Sequence, residues 1–241
     1  MVKSEDKYLD LGEVDGVKLS AFAGGVEDYL VDLSDATLRA YAKAYIDVAI
    51  RIQKLVKNKE YNSFLTVLDK IKIKGGGSLG VRLGNYSNPM QRESDLVITT
   101  PEGYEIDDEG EDFWNCLEIE NSSMGAWQAY VLRNVWSYLP LFDHANYGRR
   151  WYVYTDEQQA HLKSYASSDH TPEDWVQPPL FDVIPYVVPH DDYYQVSACF
   201  WSNFGGLHRE VSRVTLGEHI SFELDEQLCE VLYEYDCGIC Y

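Results

Sequence analysis

The chain has 241 residues, of which 45% are apolar, so it can bury one large hydrophobic core or two small ones. Its net charge at pH 7 is −20, a negative total that disfavours nucleic acid over most of the surface. The first residues lack the apolar core of a signal peptide, and no stretch approaches the roughly 20 apolar residues of a membrane span. We therefore expect a cytoplasmic protein without membrane contact.

A hairpin and two helices are predicted at the start of the chain. Strands at 8–11 and 17–22 flank Asp15-Gly16, a dipeptide that favours a tight turn between two strands. Apolar residues at helical spacing then predict a long helix over about 35–58 and a second helix over about 63–74. The second helix is predicted to end at a run of glycines, which suit a helix end better than a phosphate-binding loop.

Charge is distributed unevenly along the chain. Residues 1–92 carry 14 Lys and Arg against 12 Asp and Glu, whereas residues 93–241 carry 6 against 28, a net charge of −22. The Arg39–Lys74 region, with nine basic and three acidic residues, is the only one with a clear positive excess. This region suits contact with phosphates, while the acidic remainder attracts a basic partner.

The rest of the chain is predicted to be mixed and then rich in strands. Predicted strands before residue 156 lie at 79–83, 95–100, 113–120 and 150–155. A helix over about 123–139 precedes the last of these, and short helices are predicted at 156–166 and from Asp225 onward. Predicted strands in the last third lie at 183–188, 193–201, 209–216 and 219–223.

This order of elements predicts an α+β or α/β fold, with a central mixed sheet flanked by helices and a β-rich extension at the carboxyl end. We divide the chain into an amino-terminal hairpin (1–33), a core that starts with the basic helices (34–155), and an acidic, aromatic extension packed on the core (156–241).

Three carboxylates form the candidate site. Asp95 begins one predicted strand, and Glu118 and Glu120 lie in the next. Because side chains alternate along a strand, Glu118 and Glu120 share one face, with Cα atoms about 6.6 Å apart. If Asp95 arrives from the antiparallel neighbour, three oxygen ligands converge, a set that suits Mg²⁺ or Mn²⁺ and the activation of water. The alternative is a half-buried strand whose two glutamates are simply solvated.

The motif Asp95…Glu118-Ile119-Glu120 and the order of elements resemble the PD-(D/E)XK, or restriction-endonuclease-like, nuclease core over roughly residues 60–155. The resemblance implies that Asp95 and Glu118 bind the metal, and that Glu120 replaces the usual Lys that positions the attacking water. It also implies that the Arg39–Lys74 region contacts nucleic acid. Ser94 stands where the motif has Pro, and Gln128 and Tyr130 loosely match the family's helical polar positions.

Two further motifs have ordinary interpretations. Cys237-Gly-Ile-Cys240 has the spacing of half a zinc site, but the sequence offers no second half, and five cysteines fit reduced thiols better than a disulfide framework. His190-Asp191-Asp192 follows a proline and is interpreted as a turn.

Two functions therefore follow from the sequence. One is a Mg²⁺- or Mn²⁺-dependent nuclease, or a nuclease-like protein, that acts on nucleic acid. The alternative is a non-catalytic acidic binding protein, such as an immunity protein, inhibitor or nucleic-acid mimic, that blocks a basic partner protein. Aromatic residues in the β-rich third favour protein recognition there.

Overall fold

Helices and antiparallel sheets occur together in this chain, which confirms the α+β class. The computed structural model describes residues 8–14, 17–22, 35–83, 94–108, 110–139, 149–165 and 175–235, with side chains from residue 42 onward. Among the helices of these ranges, none has the length and apolar character needed to span a membrane.

Five α-helices are present in the described ranges. The longest, α1, follows the predicted span, and its buried residues Tyr45, Ala49, Ile52 and Val56 recur at helical spacing. Short 3₁₀ turns precede α2 and follow α4 and α5. The helices are α1 (Asp35–Lys57), α2 (Phe64–Val67), α3 (Glu111–Asn115), α4 (Ser123–Asn134) and α5 (Asp156–Ala160).

The strands in the described ranges form four antiparallel sheets. A hairpin pairs β1 (Tyr8–Val14) with β2 (Val17–Phe22), and a short ribbon pairs β3 (Ile71–Ile73) with β7 (Leu117–Ile119). A three-stranded sheet has the order β4 (Ser78–Leu83), β5 (Ser94–Thr99), β6 (Glu105–Asp107). The six-stranded sheet comprises β8 (Arg150–Val153), β9 (Tyr186–Pro189), β10 (Tyr194–Ser202), β11 (Gly206–Thr215), β12 (Ser221–Leu224) and β13 (Glu230–Tyr233).

The predicted single central mixed sheet is not observed in the described part of the chain. Every strand pair there is antiparallel, and the strands of the predicted core belong to separate sheets. Short turns connect β9 to β10 and β10 to β11, and such turns can only join antiparallel neighbours.

Three predicted elements differ in the structure. The second helix is only α2, because the chain leaves it after one turn and pairs as β3. The predicted strand at 113–120 begins instead as α3, whose Phe113 is buried, and only Leu117–Ile119 of this segment is a strand. The predicted final helix is β13, which pairs with β11.

Helix α4 lies at the centre of the main core. It packs against β9, β10 and β11, and its Trp127 indole N–H donates to the Tyr45 carbonyl of α1 at 2.9 Å. One hydrophobic cluster therefore runs from α1 through α4 to the six-stranded sheet. A second, smaller cluster that includes Val153, Cys199 and Trp201 covers the opposite face of this sheet.

A close backbone contact fixes the start of α4 beside the candidate site. The Ser122 hydroxyl caps the helix by accepting a hydrogen bond from the Gly125 N–H at 3.1 Å. A Cβ atom on Gly125 would stand 1.9 Å from the Glu120 carbonyl oxygen, so only glycine fits here. Consequently the end of β7 and the first turn of α4 are held against each other.

Candidate functional site

Asp95 is buried on β5 and paired with a cation. Its side chain is 7% exposed, and the Arg82 guanidinium, directly opposite on β4, lies 3.0 Å from Asp95 Oδ2. The same guanidinium contacts Glu105 and Asp107 of β6, each at 3.3 Å. Hydrogen bonding to Asp95, then to Glu105 and Asp107, raises the pKa of Arg82 above its ordinary value. Arg82 thus lies between three carboxylates and offsets part of their negative charge.

Glu118 lies on the β3–β7 ribbon, and Glu120 directly follows β7, where its N–H donates to the Lys70 carbonyl at 2.9 Å. Lys70 Nζ contacts Glu120 Oε2 at 3.0 Å, and Lys72 is the cross-strand partner of Glu118. This hydrogen bond lowers the pKa of Glu120 and raises the pKa of Lys70. Both glutamates are exposed, and the Lys70–Glu120 ion pair contributes little, about 0–1 kcal/mol.

The structure does not place the strands of Asp95 and Glu118 side by side. Within the described residues, β5 pairs with β4 and β6, whereas β7 pairs with β3. The expectation that Asp95 arrives from the antiparallel neighbour of β7 is therefore wrong. The described ranges contain no group of three His, Cys, Asp or Glu side chains arranged to hold a metal ion.

Gln128 and Tyr130 of α4 connect this helix to two different sheets. The Gln128 amide accepts a hydrogen bond from the Lys70 N–H at 2.7 Å and donates one to Asp69, also at 2.7 Å. Gln128 therefore positions the basic strand that faces Glu120. The Tyr130 hydroxyl donates to Glu210 Oε1 on β11 at 3.0 Å.

Glu210 is the centre of a buried polar group that the sequence analysis did not identify. Besides the Tyr130 contact, its second oxygen accepts a hydrogen bond from Arg150 of β8, and its side chain is 8% exposed. The Arg150 guanidinium also lies 4.5 Å from the centre of the Phe200 ring. These residues are distant along the chain, and only the sheet brings them together.

A pocket of about 200 Å³ opens beside this group, at the edge of the six-stranded sheet. Phe200 and His208 stack in it with ring centres 5.1 Å apart, and Arg150 lies against Phe200. Its remaining walls come from β11 to β13 and their connections, namely Arg209, Glu210, Leu224, Cys229, Glu230 and Val231. The accessible surface of the pocket is mostly apolar, and the charges of Arg150 and Glu210 offset each other.

His208 should make stability depend on pH. Burial, with a smaller effect from Arg150, lowers the pKa of His208, while a backbone contact with Gly205 acts in the opposite direction. The folded state therefore binds this proton less readily than the unfolded state, so stability is complete above the ordinary histidine pKa of about 6.5 and falls as the pH drops through it. The urea midpoint of a His208→Phe variant, which keeps the ring stack, should fall less than that of the wild type when the pH is lowered from about 8 to about 5.5. An unchanged pH profile would count against this role.

The last described strands form an acidic edge with exposed apolar residues. Residues 216–235 contain six Asp and Glu and neither Lys nor Arg. Leu224 and Val231 are each 50% exposed, and Leu228 is 46% exposed. We call residues 221–233 the carboxyl-terminal edge. Apolar side chains surrounded by charge of one sign are typical of protein-binding surfaces.

Other predicted features have simple outcomes. His190 lies in the turn between the paired strands β9 and β10, where its backbone N–H donates to the Tyr193 carbonyl at 2.8 Å, which confirms the turn interpretation. Cys116, Cys199 and Cys229 are free thiols, and burial raises the pKa of Cys199 to about 11. Cys237 and Cys240 lie outside the described residues, as does the side chain of Arg39.

Comparison with known proteins gives no relative for this chain: no family model, curated protein or solved structure matches it.

Proposed function

We propose that this chain is an acidic binding protein that blocks a basic partner protein, in the manner of an immunity protein or inhibitor. The observation that carries the proposal is the carboxyl-terminal edge, where Leu224, Leu228 and Val231 are exposed among carboxylates without a Lys or Arg in residues 216–235. Exposed apolar side chains supply contact energy, and the surrounding charge selects a basic partner.

The charge of the whole chain supports the same function. A net charge of −22 in residues 93–241 attracts a basic protein over several ångströms and accelerates its association. The field weakens as salt is added, because the Debye length is about 10 Å at 0.1 M ionic strength. Association is therefore expected to be sensitive to salt.

The contacts of the three carboxylates favour binding over nuclease chemistry. Asp95 faces the Arg82 guanidinium, which Glu105 and Asp107 also contact, and Glu120 faces Lys70. We infer that Asp95 stabilises its sheet, and that the exposed Glu120 is held by its lysine partner. A nucleic acid that approached Asp95 along β6 would meet two further carboxylates, which repel phosphates.

The test is capture of the partner on the immobilised chain from a lysate of the cells that encode it. We expect a protein with a pI above about 9 that elutes as salt is raised. The Glu118→Gln, Glu120→Gln double variant should bind it as the wild type does, because these residues lie on or next to the ribbon and not on the edge. Failure to recover any salt-sensitive basic protein would contradict the proposal.

The same double variant tests the nuclease alternative. Both residues are exposed, so their replacement by glutamine is expected to change the free energy of unfolding by less than about 0.5 kcal/mol. Wild-type chain that cleaves plasmid DNA with Mg²⁺ or Mn²⁺, together with a folded variant that does not, would establish the nuclease function instead.

A further inference from the structure

We propose that the carboxyl-terminal edge binds its partner by accepting a β-strand in which apolar residues alternate with Lys or Arg. This inference rests on the proposed function, because it specifies how the basic partner is recognised. It follows from three properties of the edge: its free side, the alternation of its side chains, and the adjacent pocket.

The outer side of β12 and β13 is an open sheet edge in the part of the chain that the structure describes. β12 pairs with β11 at Ser212–Thr215 and β13 pairs with it at Leu207–Arg209, and within the described ranges neither strand pairs with another. The Asp225 N–H bridges the gap between them by donating to the Val211 carbonyl at 2.8 Å. Both strands thus lie along the same side of β11, with backbone donors and acceptors available to an incoming strand.

Side chains along this edge are sorted by face. Phe222, Leu224 and Val231 pair with Val214, Ser212 and His208, which share one face of β11. Glu223 and Glu230 pair with Arg213 and Arg209 on the opposite face. A strand added here therefore meets apolar side chains on one face and carboxylates on the other.

That sorting determines the chemistry of the partner. Cross-strand neighbours of opposite charge attract and apolar neighbours pack, so residues of the incoming strand should alternate between apolar and basic. A second copy of the same edge would bring Glu223 and Glu230 toward like charges, which is unfavourable. The closest carboxylate to Arg213 is that of Asp225, at 2.7 Å.

The pocket provides a place for one apolar side chain of the incoming strand. Leu224 and Val231, which border the open edge, also form walls of the pocket of about 200 Å³, with Phe200 behind them. An apolar residue opposite Leu224 or Val231 would bury these half-exposed side chains. Such anchors in pockets commonly dominate binding energy at protein interfaces.

The test uses fluorescence anisotropy with two labelled peptides of about nine residues, an ordinary strand length. One alternates Lys and Val, and the other has the same composition with its Val residues grouped together. We expect the alternating peptide to bind about five- to tenfold more tightly, since only it can pair on both faces at once. A Leu224→Ser, Val231→Ser double variant should abolish this preference. Tyr104→Ser, at a residue 72% exposed in the turn between β5 and β6, should keep it.

The outcomes separate this inference from the proposed function. Equal affinity for the two peptides, or a preference that survives in a double variant with native circular dichroism, would overturn strand addition at the edge. Slower amide exchange confined to residues 221–233 in the complex would support it, whereas protection only at other sites would overturn it. The proposed function fails on a different result, the absence of any salt-sensitive basic partner.

Discussion

Replacing Glu210 with alanine should lower the free energy of unfolding by about 2–3 kcal/mol. Glu210 is buried, and it accepts hydrogen bonds from the Tyr130 hydroxyl and the Arg150 guanidinium. Its removal deprives the buried Tyr130 hydroxyl of its carboxylate acceptor and leaves a cation that has lost its counter-charge. Arg150 is 37% exposed and is hydrated when Glu210 is removed. The expected loss of stability is therefore small compared with that for a fully buried ion pair.

Urea unfolding followed by tryptophan fluorescence measures this loss. Glu230→Ala is the matched control, because Glu230 is an exposed carboxylate on the neighbouring strand and its removal should change the free energy by less than about 0.5 kcal/mol. The stability of the Glu210→Gln variant, which keeps one hydrogen-bond acceptor, should lie between the stabilities of the two alanine variants. Equal stability of the Glu210→Ala and Glu230→Ala variants would show that the buried ion pair contributes nothing.

Replacing Arg82 with alanine should also be strongly destabilising, by about 2 kcal/mol at pH 7. The guanidinium is the common partner of Asp95, Glu105 and Asp107, and without it three negative charges face one another across β5 and β6. Asp95 suffers most, because it is buried and cannot turn to solvent.

The salt dependence of this variant distinguishes repulsion from lost packing. Added salt screens the repulsion among the carboxylates, so the difference in stability between wild type and variant should shrink as NaCl is raised from about 0.05 M to about 0.5 M. The Arg82→Lys variant keeps the charge but not the forked donors, so it should lose less stability than the alanine variant. If Arg82 fills the place of a cation, Mg²⁺ should restore part of the stability of the alanine variant and leave the wild type unchanged. A variant as stable as the wild type at pH 7 would contradict this role.

Local patterns predicted much of the secondary structure. Helical spacing located α1 and α4, and Glu118 lies in a strand as predicted. The prediction of a final helix was wrong because Leu228, Val231 and Leu232 also recur at helical spacing. There the hydrogen bonds offered by β11 outweigh local preference, and the segment pairs as β13.

The arrangement of the candidate site depended on contacts that no local pattern contains. Sequence order brought Asp95 and Glu118 together as neighbours, yet β7 pairs with β3, from an earlier part of the chain. Arg82 could have been noticed as the residue facing Asp95 across a hairpin, but its contacts with Glu105 and Asp107 required the third strand. Glu210 and Arg150, which lie 60 residues apart, meet only through the six-stranded sheet.

The most direct test of acidic binding is the affinity for the captured basic partner, measured by calorimetry without divalent cations at about 50 mM and about 300 mM NaCl. We predict association at the lower salt concentration and an affinity at least about tenfold weaker at the higher one, because the Debye length shortens. An affinity that does not change with salt, or association that requires Mg²⁺, would contradict the proposed function.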